Sequence, residues 1–206
     1  GFTSGMPASI SNAEFFNLFI QRLKKYIAAK DAGIFEIDLR LRPHGNKGPL
    51  AAAFPVWKDY FSTGAFDFEK QALIKMRPIT GDSPIIKKIL SCRDDIIYGD
   101  IPVPLEQTME LRKKQRESHV KPGEINAKFS DGGLTTLEYS IQFLQLRHGN
   151  IYPALRDGNT IKSMERLLEL GIIEPADFEV LYNSYAFLRR IINSLRMVRG
   201  NARDLV

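Results

Sequence analysis

Between Ile34 and Arg42 the chain alternates without a break. Ile34 heads one set, followed by Glu36, Asp38, Arg40 and Arg42; Phe35, Ile37, Leu39 and Leu41 form the other. A period of two is the signature of a half-buried strand. A β-strand is therefore predicted here, ended by Pro43. One face is wholly apolar, and the other reads acid, acid, base, base. The turn "HGNKG" follows, rich in Gly and Asn, and "PLAAAF" is predicted as a second short strand.

Elsewhere the period lengthens to that of a helix. Ser11 to Lys30 carries an apolar stripe of Phe16, Phe19, Leu23, Tyr26 and Ile27. Ser11 and Glu14 have capping-box spacing, Ile10 and Phe15 can staple the start, and Gly33 is a plausible stop. Phe54 to Ser62 reads as helix. In "FDFEKQALIKMRPITGD" Phe68, Ala72 and Met76 keep helical spacing until Pro78 interrupts it. "GDSPII" opens another helix, with Asp82 or Ser83 as cap and Pro84 in its first turn.

Beyond "GDIPVP" everything is helical: Leu105 to Val120, Thr135 to His148, Thr160 to Leu170 and Pro175 to Arg199. The breaks are "KPGE", "SDGG", "GNIYP" and "GIIEP". The expected fold class is α+β, with a mixed portion over residues 1–103 and an all-α helical bundle over residues 104–206.

Composition narrows the setting. Hydrophobic residues make up 44% of the 206, enough to build a core and to exclude wholesale disorder. A net charge of +5 suits an anionic partner without choosing one. Cys92 is the single cysteine, so no internal disulfide framework exists and a cytoplasmic setting is expected. No apolar run reaches membrane-spanning length, and no signal peptide is visible. The chain starts without Met and stops without a helix-ending signal, so both ends are expected to be cut from something longer.

The charged strand face is where chemistry enters. A solvated outer face is the ordinary reading of such a pattern. Against it, Arg40-x-Arg42-Pro43 runs straight into a glycine-bearing turn, and a second basic pair follows in "LIKMRP". A carboxylate beside fixed cations is what a metal–nucleotide site needs: the acid holds Mg²⁺, and Arg and Lys neutralise phosphate oxygens.

Four stretches, "FEIDLRLRPHGNKGPLA", "FEKQALIKMRPITGD", "GGLTTLEYSIQFLQLRHGN" and "YAFLRR", stand in an order that resembles the glutamine synthetase adenylyltransferases, also called glutamate–ammonia ligase adenylyltransferases. The resemblance implies part of a polymerase-β-type nucleotidyltransferase domain followed by a helical domain. It implies ATP as substrate, glutamine synthetase as partner and Mg²⁺ in a two-metal site held by three carboxylates. Asp38 matches the third carboxylate, with Arg40 and Arg42 beside the phosphates, whereas Glu36 is not required by the motif. The other two carboxylates belong to a Gly-Ser-Asp-x-Asp motif that no stretch of these residues contains. The chain by itself is therefore expected to be catalytically inactive.

Other residues carry two readings each. Lys75 and Arg77 match the family's Ala-Leu-x-Lys-x-Arg motif and are expected to contact triphosphate or the target loop; the alternative is a solvated basic pair. "NAKFSDGG" before a helix resembles another family signature, which nominates Asn126, Lys128, Gly132, Gly133 and Glu138. Glycines there can let backbone N–H groups approach an anion. Alternatively Gly132 and Gly133 make an ordinary helix entry, and Glu138 caps it with Thr135. Thr136 stands where the family has an acid.

The three histidines have no ligand spacing, so zinc is not expected. His44 is read as an exposed turn residue, Arg189, Arg190, Arg196 and Arg199 as a basic helix face, and Phe178, Tyr182 and Tyr185 as core.

Two functions follow from the resemblance. One is an enzyme, acting as part of a larger whole, that adds AMP to a tyrosine of glutamine synthetase or removes it by phosphorolysis; which half of the reaction stays open. The other is a non-catalytic nucleotide- or protein-binding module, as in sensing the PII signal protein. No basic-aromatic motif speaks for nucleic acid.

Overall fold

The computed structural model describes residues 10–27, 37–99, 104 and 106–199. Its elements in chain order are α1 (Asn12–Ile27), α2 (Phe54–Asp59), α3 (Asp67–Ala72), α4 (Ser83–Tyr98), α5 (Glu106–His119), α6 (Leu134–His148), α7 (Thr160–Glu169) and α8 (Pro175–Arg199). Short 3-10 turns fall at Gly45–Lys47, Leu73–Lys75 and Pro153–Leu155, and a π turn at Tyr60–Gly64.

The described residues are all-α. The α+β expectation is corrected here, because neither predicted strand exists among them. Residues 34–36, and Gly33 as a helix stop, lie outside the described residues. From Ile37 to Arg42 the backbone is irregular and bends on itself. Arg42 N–H donates to the Arg40 carbonyl at 2.9 Å, and Gly45 N–H to the Arg42 carbonyl at 2.9 Å. A strand is held by the ladder it shares with a neighbour. Here local turns take the backbone groups a ladder would use.

The chain divides into two compact units, residues 1–65 and 66–206. In the first, the predicted capping box starts α1. Ser11 N–H donates to Glu14 Oε2 at 2.9 Å, and Glu14 N–H to Ser11 Oγ at 3.2 Å. The apolar stripe of α1 does not bury: Phe16 stays 51% exposed and Phe19 49%. The helix is tied down by Asn17 instead. Its Oδ1 accepts from Leu50 N–H at 2.6 Å and Ala51 N–H at 3.3 Å, and its Nδ2 donates to the Ala51 carbonyl at 3.4 Å. The amide thus binds "PLAAAF" by its backbone edge, as a neighbouring strand would have done. Among the described residues of this unit Phe61 is the fully buried side chain, with the Trp57 and Tyr60 rings 5.1 and 5.2 Å from it.

In the second unit the pattern of helices and breaks matches the expected one. Asp82 caps α4 by accepting from Ile85 N–H, and Asn159 caps α7 by accepting from Ile161 and Lys162 N–H groups at 3.0 and 3.2 Å. Leu137, Ile141, Leu155, Met164 and Leu167 make the core, with Phe178, Leu181 and Tyr185 of α8 packed on it. Tyr182, expected in the core, is 39% exposed. A buried amide ties this core to its loop. Gln145 Nε2 lies 2.6 Å from the Leu155 carbonyl, 2.8 Å from the Asp157 carbonyl and 2.9 Å from Ser163 Oγ.

Candidate functional site

Within the first unit, Asp38, Arg40 and Arg42 line one pocket of about 420 Å³ together with Lys24 of α1 and Asn46. The turn itself makes this grouping. Arg40 folds back over Asp38: its Nε donates to Oδ1 at 2.9 Å and its Nη2 to Oδ2 at 2.6 Å, while its backbone N–H reaches Oδ1 at 2.9 Å. Those Arg40 bonds hold the Asp38 carboxyl down at about 2, well below its ordinary 3.8. Arg42 works on the backbone. Its Nε donates to the Gly48 carbonyl at 3.3 Å and its Nη1 to the Leu39 carbonyl, pinning both sides of the turn.

Three cations and one carboxylate make the pocket net positive, an environment for phosphate oxygens. By themselves the described residues do not complete a two-metal site. Both Asp38 oxygens are engaged by Arg40, and no group of three His, Cys, Asp or Glu side chains able to hold a metal occurs among the described residues. His44 stands exposed with φ 62°, its ring edge against Tyr60 at 4.9 Å.

The other nominated residues belong to the second unit. Lys75 turns inward and donates its Nζ to Thr160 Oγ1. Burial pulls its pKa down, against the charges of Glu138 and Asp157, which raise it. It therefore docks the Leu73–Lys75 turn onto α7. Arg77 is exposed and makes no hydrogen bond or ion pair among the described residues.

Asn126 is buried and shapes its loop: its Oδ1 accepts from Lys128 and Phe129 N–H groups at 2.9 and 3.0 Å. Lys128 Nζ sits 4.9 Å over the Phe129 ring. Gly132 takes φ +73°, and a Cβ on Gly133 would lie 2.9–3.0 Å from the carbonyl oxygens of Ser130, Ala127 and Lys128. Those glycines let the loop cross under α6, which starts at Leu134 without a side-chain cap. The cap of Glu138 on Thr135 is not formed. Leu134 and Thr135 N–H groups donate to the Ala127 and Lys128 carbonyls at 3.0 and 2.9 Å. With these N–H groups spent on the loop, the entry to α6 is a backbone crossing and not an anion cradle.

Sequence reasoning passed over Lys24, Asn46 and Arg112. Arg112 of α5 donates from Nη2 to the Phe129 and Ser130 carbonyls at 2.9 and 3.1 Å and to Thr136 Oγ1 at 2.6 Å. Thr136, which replaces an acid, thus receives an arginine. Only the three-dimensional meeting of α5 with this loop exposes that link.

Comparison with known proteins places both parts of the chain. Residues 2–91 match the family model Glutamate-ammonia ligase adenylyltransferase, and residues 105–206 match GlnD PII-uridylyltransferase. Both models bear the names of nucleotidyltransferases. The bifunctional glutamine synthetase adenylyltransferase/adenylyl-removing enzyme of Pseudomonas aeruginosa is 31% identical over 194 residues, 92% of this chain and 20% of that protein. The protein of the same name from Mannheimia haemolytica is 31% identical over 206 residues, 96% of this chain and 21% of that protein. The chain belongs to the glutamate–ammonia ligase adenylyltransferase family. It spans about a fifth of the length of the curated relatives it matches.

Proposed function

We propose that this chain is part of an enzyme that moves AMP between ATP and a tyrosine of glutamine synthetase, adding it or removing it by phosphorolysis. The observation that carries the reading is the cationic pocket of Lys24, Arg40 and Arg42, which lies inside the segment matched by the family model. In the forward reaction the tyrosine oxygen attacks the α-phosphorus, the bond to the β,γ-pyrophosphate breaks, and the phenolic proton is lost. Lys24 and Arg40 neutralise charge on the nucleotide phosphates. Arg42 keeps the turn in shape. Asp38 would contribute one carboxylate to a Mg²⁺ site whose remaining ligands the described residues do not supply, so the chain alone is expected to be inactive.

In this reading residues 1–103 serve nucleotidyl transfer and residues 104–206 form a helical domain. The separate family matches to residues 2–91 and 105–206 support that division. The name of the second family model supports the PII signal protein as a further partner. Among the described residues no helix is long and apolar enough to cross a membrane. With a single cysteine, Cys92, a cytoplasmic location is proposed.

A second reading draws on the Asp38–Arg40 pair, in which Arg40 engages both carboxylate oxygens: a non-catalytic module that binds nucleotide or protein. The test is transfer of labelled AMP to glutamine synthetase by a full-length family member carrying these 206 residues. Wild type is compared with Asp38→Asn, and a folded variant is expected to lose about 100-fold or more. Undiminished transfer in Asp38→Asn removes Asp38 from the site. Absence of both transfer and phosphate-dependent AMP release in wild type selects the binding module.

A further inference from the structure

On the helical unit a second pocket of about 390 Å³ opens where the segment after Leu73–Lys75 meets α4 and the loop at 153–158. Three arginines line it, Arg77, Arg93 and Arg156, against one acid, Asp157. Two of the arginines are held in place. Arg93, 9% exposed at its side chain, donates from Nη1 to the Met76 carbonyl at 2.9 Å and from Nη2 to Asp94 Oδ1 at 2.6 Å. Arg156 donates from Nε to the Gly149 carbonyl at 2.8 Å, and its guanidinium lies 5.3 Å over the Tyr98 ring.

Asp94 serves both, the second at only 3.7 Å, so two guanidinium groups share one carboxylate. Asp157 Oδ1 is taken by Asn159 N–H at 2.8 Å, at the start of α7. Arg77 stays exposed, without a bond among the described residues. The wall is thus net positive: Arg93 and Arg156, whose N–H groups are largely spent on Asp94 and on backbone carbonyls, are fixed charges, and Arg77 is the fork that can close on a ligand.

We propose that this pocket binds a small oxyanion, a phosphate or carboxylate group, clasped by Arg77 against the ordered guanidinium groups of Arg93 and Arg156. The planar fork of Arg77 matches the paired oxygens of either anion, and Arg93 and Arg156, ordered in advance, add fixed positive charge at little entropic cost. The volume lies near the low end for ligand pockets, which suits a small molecule. The site is built entirely from residues of the second unit and does not rest on the proposed reaction.

The test is calorimetric titration of the 206-residue chain, in chloride buffer, with inorganic phosphate and separately with succinate. Saturable binding is expected with at least one of them, and the probe that binds tells phosphate from carboxylate chemistry. Arg77→Gln is expected to weaken it about tenfold or more with an unchanged melting temperature, since the side chain is exposed and makes no bond among the described residues. Lys121→Gln, at an exposed lysine outside both pockets, is expected to keep it. No saturable heat with either probe, undiminished affinity in Arg77→Gln, or loss of binding in Lys121→Gln each overturns the proposal.

Discussion

Asp38 and Arg40 stand two places apart and close a ring through three kinds of bond, one from backbone and two from guanidinium nitrogens. Every one of those bonds favours the ionised carboxylate, which is why its pKa falls to about 2 from 3.8. A carboxyl depressed by folding stabilises the native state above its ordinary pKa, and that contribution disappears as pH falls through the folded value. The window is therefore roughly pH 4 down to pH 2. The side chain is 53% exposed, so solvent screens the pair and its worth is at most about 1 kcal/mol. An NMR titration of the Asp38 carboxyl carbon is expected to show a midpoint near 2, moving back toward 3.8 in Arg40→Gln. A midpoint that ignores Arg40→Gln would show that Arg40 does not make the shift.

At the scale of an element, the start of α6 depends on one missing side chain. Ser130, Ala127 and Lys128 present their carbonyl oxygens to Gly133, leaving no space for a Cβ, and the same loop carries the Asn126 turn and receives Arg112. Gly133→Ala must push that backbone apart. A cost of about 1–3 kcal/mol is expected, the usual penalty of overpacking, read as a lower midpoint in urea. A midpoint equal to wild type would mean that the loop yields freely and that the crossing does not hold α6. An anion at this helix entry would have to compete for N–H groups that the loop carbonyls already take, for the same reason that the glycine is needed. The loop lies too close beneath the helix.

For the molecule as a whole, the two units differ in how much they bury. Among described residues of 10–65 only Pro43 and Phe61 are buried, whereas the second unit holds Leu137, Ile141, Leu155, Met164 and Leu167 in one core. Stability follows buried apolar area, so the first unit is expected to unfold at lower denaturant. Trp57, the chain's single tryptophan, reports that unit. Far-UV circular dichroism reports the longer helices of the second. Trp57 fluorescence is expected to change at a lower denaturant concentration than ellipticity. Coincident transitions would overturn the separation.

Periodicity and capping residues determined where the chain is helical. Ser11 with Glu14, Asp82 and Asn159 each act within a turn or two of themselves, and so α1, α4 and α7 were legible from local order alone. The four motifs in their order likewise pointed to the family, and the one around Asp38 brought Asp38, Arg40 and Arg42 to notice. Only tertiary structure decided the rest. Whether Ile37 to Arg42 became a strand depended on finding a partner, which alternation cannot supply; among the described residues that backbone bonds to itself. Whether Lys75 faced a ligand or Thr160 depended on α7, eighty-odd residues later. The grouping of Arg77, Arg93 and Arg156 around one pocket, and of Arg112 with Thr136, arises because folding joins segments far apart in sequence. Local chemistry sets an element. Long-range contact sets what its side chains face.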